Sequence, residues 1–264
     1  MIYCELPLPE PLRRVALCAW HFRLEEGDPP ILQHQVPPDG TTGLTLIRSG
    51  EGLMQARLVG PMLAAFTVPV MKGFDYAGLR LRPEMGAAFS GTEQQPGTSA
   101  FVALNGRWGA VVADLLDLVL GGTDWLQTIA FTASLPAGDE AVAHAVDNLI
   151  DSGGNMSVAR LAALAHLSER QFRRRFHAAT GISPKQYADV QRIRRALILS
   201  LEDPDWAGVA HDSGFADQAH LARDVKLRFG AAPRRVSGYF CGIRHELIEH
   251  AGVRNLQAAA ARAA

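Results

Sequence analysis

Cysteine is scarce in this chain: Cys4, Cys18 and Cys241 are the only three among 264 residues. They are too few and too scattered for a disulfide framework or a CxxC-type metal site, so a reducing, intracellular setting is expected. Long apolar runs are lacking too. None approaches the ~18 residues a membrane span needs, and the opening MIYCELPLPE is acidic where a signal peptide would be basic. A cytoplasmic protein with no membrane partner is therefore expected. Histidine is thin in the first half, where only His21 and His34 precede residue 140. A metal-dependent β-barrel oxygenase would need three or four converging His or carboxylate ligands, and Cys18 and His21, three apart in a candidate strand, fall on opposite faces. No Gly-x-Ser-x-Gly, Walker loop or Gly-x-Gly-x-x-Gly occurs. These absences point away from an enzyme and from any cofactor or metal.

What is present is a globular composition, 48% hydrophobic and 20% charged, with enough chain for two domains. The net charge of −1 hides an uneven spread. Residues 151–240 carry 14 Lys and Arg against 9 Asp and Glu, whereas the remainder carries 12 against 18. A basic segment in a balanced chain points to a polyanionic partner for that segment, although a solvated basic helix face gives the same count.

Turn signals divide the first ninety residues into short apolar stretches: Val15–Leu24, Ile31–Val36, Gly43–Arg48, Met54–Val59, Ala65–Val70 and Tyr76–Leu81. Strands at about ten-residue spacing suggest a small barrel or sandwich. Residues 91–100 form a turn-rich connector. Beyond them Trp108, Val111, Val112, Leu115, Leu116, Val119 and Leu120 recur at helical spacing, a second helix covers Trp125–Phe131, and nearly everything after Asp139 is helical.

The helical half repeats itself. A shift of 49 positions places Gly181 on Gly230, Pro184 on Pro233, Arg174 on Arg223, and Phe172 and Phe176 on Leu221 and Val225. Ser168 falls on Asp217, another good N-cap. The repeated unit reads as a helix-turn-helix: Val158–Ala165, a turn at His166-Leu167 and Glu169–Ala179, then Trp206–Asp212, a turn at Ser213-Gly214-Phe215 and Gln218–Phe229. In the first recognition helix Phe172 and Phe176 face inward, which leaves Arg170, Arg173 and Arg174 outside, with Arg175 toward the edge. In the second, Leu221 and Val225 face inward while Gln218, His220 and Arg223 face out. Arginine suits guanine O6 and N7 and glutamine suits adenine. Lys226 and Arg228, further along, suit phosphates. Between the units Ser183–Leu201 carries an apolar stripe of Tyr187, Val190, Ile193, Leu197 and Leu201, with Arg192 and Arg195 opposite. A helix of roughly 18 residues spans about 27 Å, enough with its turns to hold two recognition helices about one DNA turn (~34 Å) apart.

These residues resemble the AraC/XylS family of transcriptional regulators over about residues 139–240. The likeness is carried by Ser168-Glu169-Arg170-Gln171-Phe172-Arg173-Arg174-Arg175-Phe176, Thr180-Gly181-Ile182-Ser183-Pro184, Gly214-Phe215 and Phe229-Gly230-Ala231-Ala232-Pro233. It implies base contacts from Arg170, Arg173 and Arg174 and from Gln218, His220 and Arg223. Asp224 and Val225 depart from the family pattern, and an acidic Asp224 would weaken phosphate attraction locally. More loosely, Pro38-Asp39-Gly40, Val59-Gly60-Pro61 and Ala77–Pro83 resemble the β-rich sensor domains of some members, which bind a small effector or mediate dimerisation.

The expected class is thus α+β. A β-rich barrel- or sandwich-like sensor domain covers 1–100, a helical linker and candidate dimerisation region covers 101–137, an all-α DNA-binding domain with two helix-turn-helix motifs covers 138–240, and a tail covers 241–264. The expected partners are double-stranded promoter DNA, a small-molecule effector and a second copy through residues 101–137. The expected DNA-binding residues are Arg170, Arg173, Arg174, Gln218, His220, Arg223 and Lys226, acting in an activator or repressor. Trp20, Phe22, Phe66, Phe74 and Tyr76 would line an effector pocket or pack as core, and Arg80 and Arg82 would pair an acidic effector or lie solvated. The competing readings are an architectural DNA-binding protein that senses nothing and an enzymatic first domain fused to a DNA-binding one.

Overall fold

A computed structural model of the chain describes residues 1–6, 8–52, 54–91, 95–104, 108–119, 125–202 and 205–240. The first half is built from β1 (Ile2–Leu6), α1 (Glu10–Arg13), β2 (Ala16–Arg23), β3 (Ile31–Val36), β4 (Gly43–Ser49), β5 (Met54–Val59), β6 (Phe66–Met71), β7 (Phe74–Leu81), a single 3₁₀ turn η1 (Pro83–Met85), α2 (Gly86–Ser90) and β8 (Ser99–Val102). Six strands form an antiparallel sheet in the order β1-β2-β7-β4-β5-β8, and β3 pairs with β6 as a separate ribbon. β2 to β7 fall on the six apolar stretches of the sequence. β1 and β8 do not. β8 is a short edge strand with three of its four residues exposed, and Pro96, Gly97 and Thr98 before it read as a connector.

The period-2 alternation of the strands gives the sheet two faces of different character. On one face the row Ala19, Leu79, Leu44 and Leu58 crosses from β2 to β5. Onto it pack Leu12, Met85, Phe89, Trp108, Val111, Val112, Leu115 and Trp125. Several of these come from α3 (Gly109–Val119), with Trp108 just before it and Trp125 just before α4 (Leu126–Ala133). The two helices are joined where the buried Asp114 carboxylate accepts from the Thr128 N–H at 2.6 Å. The apolar stripe of the expected linker region is therefore used inside the chain's own core; Leu120 and the side chain of Val119 lie outside the described residues.

The opposite face is aromatic. Phe22 and Tyr76 are buried there with Val70, and Tyr3, Trp20, Ile47, Phe74, Leu32 and Val68 pack around them, so the β3–β6 ribbon lies over this face. Four of the five expected pocket residues share this cluster; Phe66 is half-buried outside it. Arg80 and Arg82 are neither solvated nor free for an acidic ligand. Arg80 pairs with Glu5 at 2.9 Å and Asp39 at 3.6 Å, and Arg82 pairs with Glu84 and with Asp147 at 2.8 Å. A guanidinium taken out of water needs such partners. Except for Glu84, the chain supplies them from positions (Glu5, Asp39 and Asp147) too distant in sequence to be seen by strand alternation.

The second half comprises α5 (Glu140–Asp151), α6 (Val158–Leu164), α7 (Glu169–Thr180), α8 (Pro184–Glu202), α9 (Trp206–Asp212) and α10 (Gln218–Phe229), followed by helix over residues 233–240. It has two small cores. One holds Val146, Leu149, Leu161, Phe172, Phe176 and Tyr187; the other holds Ile193, Leu197, Trp206, Val209, Phe215, Leu221 and Val225. α8 is common to both. Its first turns, at Tyr187 and Ala188, close the first core, and its later turns, at Ile193, Ala196 and Leu197, close the second. A continuous 19-residue helix, about 28 Å long, thereby fixes one unit relative to the other.

The two halves are docked. η1 and α2 pack against α7, and Arg82 also donates to the carbonyl of Ala143 on α5. At the other unit Ala65 N–H donates to Arg228 O at 2.8 Å and Gln35 Nε2 donates to Phe229 O at 3.1 Å. The Tyr239 hydroxyl accepts from the Gln35 N–H at 3.0 Å and is hydrogen-bonded to His34 Nδ1 at 2.8 Å. Burial pushes the His34 imidazole down to about 4, and its ring stacks on Phe22 at 4.8 Å. A histidine depressed in the folded state favours folding above its unfolded value near 6.5, and that contribution is lost as pH falls toward 4. Thermal or urea denaturation measured from pH 7 to 4 is expected to show a loss approaching about 3 kcal/mol from this residue. His34→Gln is expected to flatten that part of the profile.

Candidate nucleic-acid interface

Each helix-turn-helix is locked by local chemistry. Ser157 caps α6 by accepting from Arg160 N–H, and Asp205 caps α9 by accepting from Ala207 and Gly208 N–H. Both first helices end in the same paired pattern. Leu167 N–H donates to Ala162 O and Phe215 N–H to Ala210 O, around a left-handed residue that is Gly214 (φ 76) in one copy and His166 (φ 54) in the other. Histidine is one of the side chains that enter this region more often than most. The recognition helices are capped by Ser168, in a reciprocal capping box with Gln171, and by Asp217, which accepts from His220 N–H at 2.7 Å. They end at Gly181 (φ 75) and Gly230 (φ 68).

The repeat is not uniform. First helices, caps and left-handed residues correspond at a spacing of 48 (Ser157 with Asp205, His166 with Gly214), whereas N-caps and recognition helices correspond at 49 (Ser168 with Asp217). The second turn is longer by one residue. A single shift of 49 captures the second helix of each unit and the proline that starts the next helix, but not the first helix.

The expected DNA-binding residues fall into groups. Arg170 and Arg174 are exposed, and among the described residues no carboxylate pairs with either; the same holds for Arg223 and Lys226. Gln218 is exposed at the first turn of α10. Arg173 is exposed but shared with Glu169 through an i,i+4 pair at 3.1 Å. His220 is half-buried, its ring set edge-on to Phe215 at 5.3 Å, so it supports the turn at least as much as it faces outward.

Four cations outside that set are placed otherwise than the sequence suggests. Arg175 makes two bonds to Asp139, the N-cap of α5, at 2.7 and 2.8 Å, and so ties α7 to the preceding helix. Arg228 does not reach toward phosphate. It donates to Leu63 O at 2.6 Å and pairs with Asp224 at 3.2 Å. Asp224 is thus neutralised within the chain instead of repelling DNA. Arg192 and Arg195, expected on an open face of α8, hold the second unit: Arg192 pairs with Asp189 and lies over the Phe215 ring at 5.1 Å, and Arg195 Nε donates to Asp212 O at 3.0 Å. The Arg228–Asp224 spacing of four was a visible signal. The Asp139 contact, 36 residues from Arg175, was not.

The N-terminal half of each recognition helix, the part that enters a major groove in helix-turn-helix proteins, presents Arg170 and Arg174 in α7 and Gln218 and Arg223 in α10. Residues 161–238 match the family described as a helix-turn-helix domain. This region is an AraC-type helix-turn-helix domain. Residues 5–100 match a second family, described as a domain of unknown function (DUF6597). The chain is similar to the HTH-type transcriptional regulator MtrA of Neisseria gonorrhoeae, 26% identical over 97 residues, or 36% of this chain and 32% of MtrA. The chain thus spans about a third of the length of that curated relative. Among solved structures, the DNA-binding domain of AdpA in complex with a target DNA is 28% identical with a TM-score of 0.36, covering 41% of this chain and 99% of that one. ToxT of Vibrio cholerae O395, bound to (E)-4-(8-methylnaphthalen-1-yl)but-3-enoic acid, is 10% identical with a TM-score of 0.48 over 90% of this chain and 99% of its own. No helix among the described residues is long and apolar enough to cross a membrane, and no group of three or more His, Cys, Asp or Glu among them could hold a metal ion.

Proposed function

We propose that the chain is a cytoplasmic transcriptional regulator that reads promoter DNA through α7 and α10 and senses an effector through its first half. The carrying observation is the twinned AraC-type unit itself: two recognition helices with fully buried inner faces, exposed N-terminal outer faces and one shared helix between them. Arg170, Arg174, Gln218 and Arg223 are the base-reading candidates. Lys226 and Arg173 are placed to meet phosphate, and His220 is a supporting contact. Residues 138–240 act as the DNA-binding domain on this reading, residues 1–100 as the sensor and residues 101–137 as the helical linker between them. Effector sensing is supported by the β3–β6 ribbon, which covers the aromatic face of the sheet on one side and reaches the end of α10 through Gln35 and the helix after it through His34–Tyr239.

The test is selection of bound sequences from a random duplex library with the full chain, followed by affinity measurements on an enriched and a scrambled site. Arg174→Ala and Arg223→Ala are each expected to cost about 1–3 kcal/mol on the enriched site and far less on the scrambled one. Equal losses on both would assign the two residues to phosphate. No enrichment at all would favour an architectural protein over a regulator.

A further inference from the structure

Counted from their N-caps, Ser168 and Asp217, the two recognition helices carry different chemistry at the same positions. Arg170 stands where α10 has Ala219, and Glu169 where it has Gln218, while Arg174 and Arg223 coincide. Phe172 and Phe176 are fully buried in α7, as are Leu221 and Val225 in α10. The column opposite them therefore runs through Arg170, Arg174 and Ala178 in one helix and through Ala219, Arg223 and Leu227 in the other. All six are exposed, Leu227 to 79%. The next position contributes little in either helix, since Gln171 is engaged in the capping box and His220 leans on Phe215. The reading column thus holds two guanidinium groups and then a methyl in α7, but a methyl, a single guanidinium and an isobutyl group in α10.

We propose that the two units read half-sites of opposite composition. α7 takes a guanine-rich segment, with Arg170 and Arg174 each on a guanine. α10 takes an A·T-rich segment around a single guanine, with Gln218 on adenine, Ala219 against a thymine methyl and Arg223 on that guanine. The reasons are chemical: a guanidinium fits guanine O6 and N7 bidentately and a carboxamide fits adenine N6 and N7. A methyl side chain has no donor or acceptor and finds its match in the thymine C5-methyl. This inference rests on the base-reading function above, and it fixes which half of the site each unit recognises.

The experiment is the same library selection, run with the wild-type full chain, Ala219→Arg and Arg170→Ala. Both substitutions lie on exposed positions, and far-UV circular dichroism checks that each variant is folded. Wild type is expected to enrich a guanine-rich segment beside an A·T-rich one. Ala219→Arg is expected to turn one A·T position of the second segment into guanine, with discrimination of about 5-fold or more, and to leave the first segment unchanged. Arg170→Ala is expected to relax one guanine in the first segment only. A wild-type motif with two guanine-rich halves, or an A·T-rich half that responds to Arg170→Ala, overturns the proposal while leaving sequence-specific binding intact. So does a folded Ala219→Arg protein that selects the wild-type motif. Binding without any enrichment overturns the base-reading function, and this inference with it.

Discussion

Phe176→Ala is expected to destabilise the first helix-turn-helix by about 3–5 kcal/mol, the cost of emptying a fully buried aromatic site. Phe176 is 0% exposed, its ring lies 5.9 Å from Phe172 and 6.1 Å from Tyr187, and its carbonyl accepts from the Thr180 hydroxyl at 2.8 Å. The ring thus joins the recognition helix to the start of α8. A core of this size cannot refill the space, because the small Ala162 and Ala188 are already packed there. Urea denaturation followed by circular dichroism should show the lost stability. DNA binding should fall on specific and scrambled sequences alike, since the whole unit is compromised. Arg174→Ala, by contrast, should leave the denaturation curve in place and lower only specific binding.

Gly154→Ala is expected to be nearly as damaging, for a backbone reason. Gly154 has φ 80, and a Cβ there would lie 2.1 Å from Ala188 O and 2.8 Å from Arg192 N, both main-chain atoms of α8. The left-handed conformation costs a non-glycine residue about 1–2 kcal/mol, and forcing a carbon into a packed contact adds about 1–3 kcal/mol. The neighbours make the site more than a local defect. Gly153 abuts the Arg195 side chain, and Asn155 reaches the Gly214 turn of the second unit. The segment 153–155 therefore wedges α8 against both helix-turn-helix units. Moving it should change their relative placement, so Gly154→Ala should lose affinity for a two-part site more than for either half alone. Equilibrium binding to the full enriched site and to each isolated half measures this.

Sequence pattern carried much of the architecture because the decisive signals were local. Strand alternation in β2 to β7, the N-caps Ser168 and Asp217, and the terminal glycines Gly181 and Gly230 depend on neighbours a few residues away. β1 was hidden because Ile2–Leu6 sits at the terminus before Pro7 and Pro9, and its burial depends on Glu5 meeting Arg80 from β7. The candidate site was legible where exposure follows from helical spacing, as at Arg170, Arg174 and Arg223. It was not legible where a cation finds a distant partner. Arg175 reaches Asp139, Arg228 reaches Leu63 O and Arg82 reaches Asp147 across 65 residues. Charge and periodicity say that such a residue is on a helix rim or at a strand end; only the fold says what lies across from it.

The central claim is that α7 and α10 act together as two groove-reading elements held apart by α8. Hydroxyl-radical footprinting of the full chain on its enriched duplex tests this most directly. Two protected segments on one face of the DNA, their centres about one helical turn (~34 Å) apart, are the predicted result. A single protected segment, unchanged when Arg223→Ala replaces the wild type, would contradict it.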